Sequence, residues 1–195
     1  TAFSNLGTVD GDVSFQPDKH QSLKVKGRIN TRNLRIGSLF NTDNLGKLTL
    51  SGKIDGLIHK ENYDFTFNGI VDTIDVFNYK YKNIEIKGNI KNNHCDGALS
   101  IDDPNLKMNY LGSLDISPNM PTFRFKSQID YADLQKLNLL KTDSIAKISG
   151  VIDANFEGKD LDMIKGVVDV KQLRFKNSKA IMFLENAQLK NDKVD

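Results

Sequence analysis

Cysteine occurs once in these 195 residues, tryptophan never, histidine three times and proline four times. A single cysteine excludes an internal disulfide and any zinc site built from several thiolates. The longest unbroken apolar run, Ala180 to Leu184, is far short of the ~20 residues of a transmembrane helix. Neither sign of charge dominates. Lys and Arg number 27 against 25 Asp and Glu, a net charge of +2, which lacks the basic excess of a nucleic-acid binder. Hydrophobic residues at 38% and charged residues at 27% match a folded, water-facing chain, long enough for one domain or two small ones. No basic-then-apolar leader precedes Thr1, so the expectation is a processed protein or a piece of a larger one.

What is present is a period of two. Leu48, Leu50, Gly52, Ile54 and Gly56 alternate with Thr49, Ser51, Lys53 and Asp55. Phe65 and Phe67, then Ile84 and Ile86, then Met108, Tyr110 and Leu114, then Ile148 and Ile152 follow the same rule. Successive strand residues face opposite sides, so each segment has one apolar and one wet face. That is the pattern of antiparallel sheet, because parallel strands between helices read as continuous apolar runs. Turn signals such as Asn68-Gly69, Asn92-Asn93 and Asp102-Asp103-Pro104 divide the chain into roughly ten to twelve strands. Glycines inside them, at 27, 52, 88, 112 and 150, predict a line along which the sheet is creased.

Two segments depart from the alternation. Leu34 to Phe40 and Leu134 to Leu140 each predict a helix of two to three turns, too short to persist unless its apolar stripe docks on the sheet. They are also copies. Ile29, Leu34, Leu39, Thr42, Asp43 and Lys47 recur 100 residues later as Ile129, Leu134, Leu139, Thr142, Asp143 and Lys147. After a slip of two, Ile54-Asp55 falls on Ile152-Asp153. The reading is a repeat of about 100 residues, with units near 22–121 and 122–195, in a structure extended along one axis. Leu34 and Leu134 are both expected to be buried under the sheet.

No catalytic constellation stands out. The chain has no phosphate loop, no Gly-x-Ser-x-Gly and no His-Glu-x-x-His. His20, His59 and His94 are far apart. His94-Cys95-Asp96 reads as a turn between strands, since adjacent strand residues point to opposite faces. Asp102 to Asn105 reads as a turn entering a strand rather than a cation loop. Tyr79 and Tyr81 share one strand face and Lys80 and Lys82 the other, which separates stacking from phosphate contact and argues against nucleic acid. The expectation is no enzyme, no catalytic residue, no metal and no cofactor. So many amphipathic strands with only two short helices either close into a sandwich or barrel, or curl into a trough with an apolar lining. From the pattern alone, the closed core is favoured.

Tyr79 to Gly88, Asp96 to Ser117, Ala132 to Leu140 and Phe156 to Gly166, leading into Val168, Val170, Leu173 and Phe175, resemble the AsmA-like superfamily and within it the TamB-type envelope proteins. The likeness runs from about Gly7 over nearly the whole chain. It implies an all-β fold, a long curled antiparallel sheet forming an open trough (a β-taco), and an internal fragment of a larger protein. It further implies a periplasmic location in a parent chain anchored in the inner membrane, with phospholipid as the partner in outer-membrane biogenesis. The alternative it implies is an assembly or translocation factor that binds outer-membrane barrel proteins by strand pairing. The residues assigned to the lipid lining are Leu48, Leu50, Ile54, Phe65, Phe67, Ile84, Ile86, Met108, Tyr110, Leu114, Ile148 and Ile152. The family brings no catalytic residues with it.

Overall fold

The computed structural model describes residues 2–4, 6–18, 22–116, 120–141, 145–158 and 165–191. His20, Thr142, Asp143 and the stretch 159–164 lie outside the described residues. The protein is almost entirely β. Its strands form one open antiparallel sheet in which the spatial order is the chain order, β1 to β12. The chain divides into two compact units: Thr1–Asn92 with Ile101–Asp103, and Asn93–Ser100 with Pro104–Asp195.

The first unit holds β1 (Ala2–Ser4), β2 (Gly7–Pro17), β3 (Leu23–Arg35), α1 (Ile36–Phe40), β4 (Leu45–His59), β5 (Asn62–Val76) and β6 (Tyr79–Lys91). Each strand pairs antiparallel with the next, so the period-two pattern keeps one face apolar across the unit. The register is broken between Thr31 and Leu34 in β3, and Asn33 there takes a left-handed φ of 50°. Side chains satisfy backbone groups at the break. The Leu50 N–H donates to Thr31 Oγ1, whose hydroxyl donates to the Leu48 carbonyl, and the Asn33 N–H donates to Thr49 Oγ1. Such bulges bend and twist a strand.

The second unit holds most of β7 (His94–Asp103), then β8 (Leu106–Asp115), β9 (Thr122–Asp133), β10 (Ala146–Glu157), β11 (Lys165–Asn177) and β12 (Ile181–Asn191). Its breaks lie between Lys107 and Met108, and around Gly150, whose φ is 155°.

A few cross-strand pairs in β3–β4 can be set beside pairs in β9–β10. Ile29 stands opposite Gly52 and Ile129 opposite Gly150. Lys26 faces Asp55 and Lys126 faces Asp153, and Gly27 with Ile54 corresponds to Ser127 with Ile152.

The two helices do not both form. The first is shorter than expected, Ile36–Phe40, because the backbone of Leu34 and Arg35 still pairs with β4. No side chain caps its start, and Asn41 ends it in the left-handed region at φ 51°. Packing therefore holds it: Ile36 is buried, and a Cβ on Gly37 would sit 2.0 Å from the Leu45 carbonyl oxygen. The second segment, Leu134 to Leu140, is a turn. The Leu137 N–H reaches the Asp133 carbonyl at 3.0 Å and the Lys136 N–H reaches Asp133 Oδ1 at 3.2 Å. Asn138 then turns left-handed at φ 62°, which stops the winding after one turn. Leu34 and Leu134 are only half-buried; the anchors beneath the sheet end are Ile36 and Leu137.

Candidate functional site

The feature large enough to carry a function is the apolar sheet face. In the first unit, Leu50 stands opposite Thr31 and Val71, Ile54 opposite Gly27 and Phe67, and Phe65 opposite Gly56 and Ile90. Phe67 faces Gly88, Ile84 faces Val71, Ile86 faces Gly69, and Leu48 faces Ile74. All seven residues assigned to this unit's lining therefore share one face. In the second unit Met108 faces Ile129, Tyr110 and Ile152 both face Ser127, Leu114 faces Phe123, and Ile148 lies between Ala132 and Phe175. These five also share one face of their own unit.

Within each unit the strands pair with their neighbours in chain order, in a sheet that does not close. Of the assigned lining only Ile84 is buried; the rest are half-buried. An apolar face that is only half-buried is a surface on which an apolar ligand can rest.

Glycines and aromatic rings shape the face together. Gly52 and Gly69 stand directly opposite each other. A Cβ on either would come within 2.5 or 2.7 Å of Phe67 Cζ, so the far end of the ring lies over the paired glycines. In the second unit Phe123 stacks on Phe156 at 4.7 Å, and Tyr110 lies 5.3 Å from Phe125. Such rings give broad contact without a directional polar demand.

Polar groups enter this face at few places. Asp103 is buried at one end of the first unit's strands and accepts from the Tyr79 hydroxyl at 2.5 Å and the Lys82 N–H at 3.0 Å. Asp133 is also buried, at the end of β9, but it stands opposite Lys147, one residue off the apolar face that Ala132 and Ile148 share. Ser127 is buried midway along β9, and its hydroxyl has no partner among the described residues. Sequence reading missed all three, because a carboxylate at a strand end looks like any turn residue. The one available signal was the repeat, which sets Ser127 where the first unit has Gly27.

Burial pushes the Tyr81 phenol above its ordinary 10.0, and the Asp103 charge adds to this; burial and then the charge of Cys95 do the same for Tyr110. Both rings thus stay neutral longer than in water. Above pH 10 the unfolded chain ionises first and gains relative to the fold, so the two phenols weaken stability only there. In an alkaline absorbance titration, Tyr81→Phe and Tyr110→Phe should each remove one phenol from the part above pH 10. No change in that part would contradict the burial of these rings.

The wet face is ordinary protein surface. Lys26 pairs with Asp55 at 3.3 Å and Lys91 with Asp64 at 3.9 Å, both exposed and worth little. His94 opens β7, with Nε2 3.0 Å from Asp96 and Nδ1 3.8 Å from Asp115. Among the described residues no group of three His, Cys, Asp or Glu side chains is placed to hold a metal ion, and no helix is long and apolar enough to cross a membrane.

Comparison with known protein families, with curated proteins and with solved structures finds no match for this chain.

Proposed function

We propose that this chain is a non-enzymatic segment that carries phospholipid acyl chains along the apolar face of its sheet. In this reading it is a periplasmic part of an envelope protein anchored in the inner membrane, and it serves outer-membrane biogenesis. The observation that supports the reading is the apolar face, shared by the strands of each unit and only half-buried. Each methylene removed from water contributes about 0.8 kcal/mol. A lining of aliphatic and aromatic side chains holds a tail through many such contacts and fixes it at no single point, so the tail can slide.

The test uses Leu50→Asp and Met108→Asp in the purified chain, with binding of a fluorescent phospholipid measured beside thermal melting. Both positions are half-buried, so water can reach the new carboxylate. Each variant is expected to lose most of the lipid binding while retaining cooperative melting. If both variants simply unfold, the face is an ordinary packed core; if both bind lipid as before, the lining lies elsewhere.

A further inference from the structure

We propose that the Ser127 hydroxyl donates a hydrogen bond to the ester carbonyl of an acyl chain lying on the apolar face of the second unit. The inference rests on the lipid reading and adds a point of register to it. Ser127 stands midway along β9, opposite Tyr110 in β8 and Ile152 in β10, so its side chain belongs to the same face as theirs. It is 4% exposed, and its Oγ is buried with no hydrogen-bond partner among the described residues. A buried hydroxyl without a partner is a standing cost to a fold. The position set beside it in the first unit is Gly27, where a Cβ would lie 2.1 Å from the Asp12 carbonyl oxygen, so no side chain fits there. The second unit has room for a side chain at this place and fills it with a hydroxyl.

The surroundings select the chemistry of the partner. A serine hydroxyl can give one hydrogen bond and accept others. Its neighbours in the face are Tyr110, Phe125, Ile129 and Ile152, none of them positively charged. A phosphate brought among them would bury its charge without a counter-charge, which is expensive. A bare hydrocarbon would leave the hydroxyl as it is. A neutral carbonyl accepts the O–H and is cheap to bury once bonded. Each acyl chain of a phospholipid begins with such a carbonyl, at its ester, and continues as hydrocarbon suited to the rest of the face.

The same neighbours screen the hydroxyl, so the ester reaches it by turning one of them aside. Tyr110 is placed to move: it stands directly opposite Ser127 and is only half-buried. Elsewhere the face holds a tail at no fixed point. At Ser127 one hydrogen bond sets the register of the chain and is weak enough to release it.

The experiment compares two lipids on the purified whole chain: a short-chain diacyl phosphatidylcholine and the dialkyl ether of the same chain length, which lacks only the carbonyls. Each competes against a fluorescent phospholipid. The native chain is expected to bind the ester about tenfold more tightly than the ether, the worth of one buried hydrogen bond. Ser127→Ala should bind both with the affinity of the native chain for the ether. Without lipid, Ser127→Ala should melt at or above the native temperature, because it removes a buried polar atom that has no partner. With a carbon-13 ester, the infrared carbonyl band should move to lower frequency on binding to the native chain and stay in place with Ser127→Ala. Equal binding of ester and ether by the native chain overturns the proposal and leaves the lipid reading standing. Binding of neither overturns both. A preference for the ester that survives Ser127→Ala, or a clear loss of melting temperature in that variant, shows that the hydroxyl serves another partner and also overturns the proposal.

Discussion

Replacing Leu137 by alanine should lower the unfolding free energy by about 3 kcal/mol, the usual cost of emptying a fully buried leucine site. Leu137 is the one large side chain with no exposure among the described residues, and it sits in a single turn with no helix to support it. Nearby Ala132 and Ala146 are also buried, and they are too small to collapse into the space. Leu139, two residues on, is 51% exposed, and Leu139→Ala should cost well under about 1 kcal/mol. Urea unfolding of the two variants measures the difference. Equal losses would mean that the turn is not an anchor.

The second large effect is at the paired glycines. Gly52→Ala drives its methyl into Phe67, with ring atoms at 2.5 and 2.6 Å. Gly69→Ala first meets the Ser51 carbonyl oxygen at 2.5 Å and only then the ring at 2.7 Å. Overpacking of this kind costs about 1–3 kcal/mol, and the backbone clash should fall at the upper end. The two sites should also respond differently to Phe67→Ala. Removing the ring offsets part of the Gly52→Ala cost, because the ring is what the methyl strikes. It leaves the Gly69→Ala cost largely in place, because a carbonyl cannot move aside. A double-mutant cycle by urea unfolding reads this coupling directly. Equal rescue at both sites would contradict the arrangement of ring over glycines.

These two sites also mark how far the sequence could be read. Alternation is local, so strands and faces were legible: residues assigned together from spacing, such as Leu50, Ile54 and Phe67, do share a face. The glycines were read as a crease. At positions 52 and 69 they make room for the Phe67 ring, while register breaks sit beside Asn33 and Gly150. Cross-strand neighbours depend on register, which no single strand reveals. The second helix failed for a related reason. Leucine spacing marked an apolar stripe, but Asp133 and Asn138 hold the backbone to one turn. The closed core that pattern alone favoured was wrong, because covering a sheet is a property of the whole chain. Burial of Asp103 and Asp133 likewise depends on what folds over them.

The central claim is that one face of the sheet meets acyl chains and the other meets water. Photo-crosslinking in the cell envelope tests it most directly, with a photoreactive residue placed in turn at adjacent positions: Leu50 and Ser51, Phe67 and Asn68, Tyr110 and Asn109, Ile152 and Asp153. Each pair differs by one residue and therefore by face. The account predicts phospholipid adducts from Leu50, Phe67, Tyr110 and Ile152 and none from their neighbours. Adducts of equal yield from both faces, or none from the apolar positions in protein that melts normally, would contradict it.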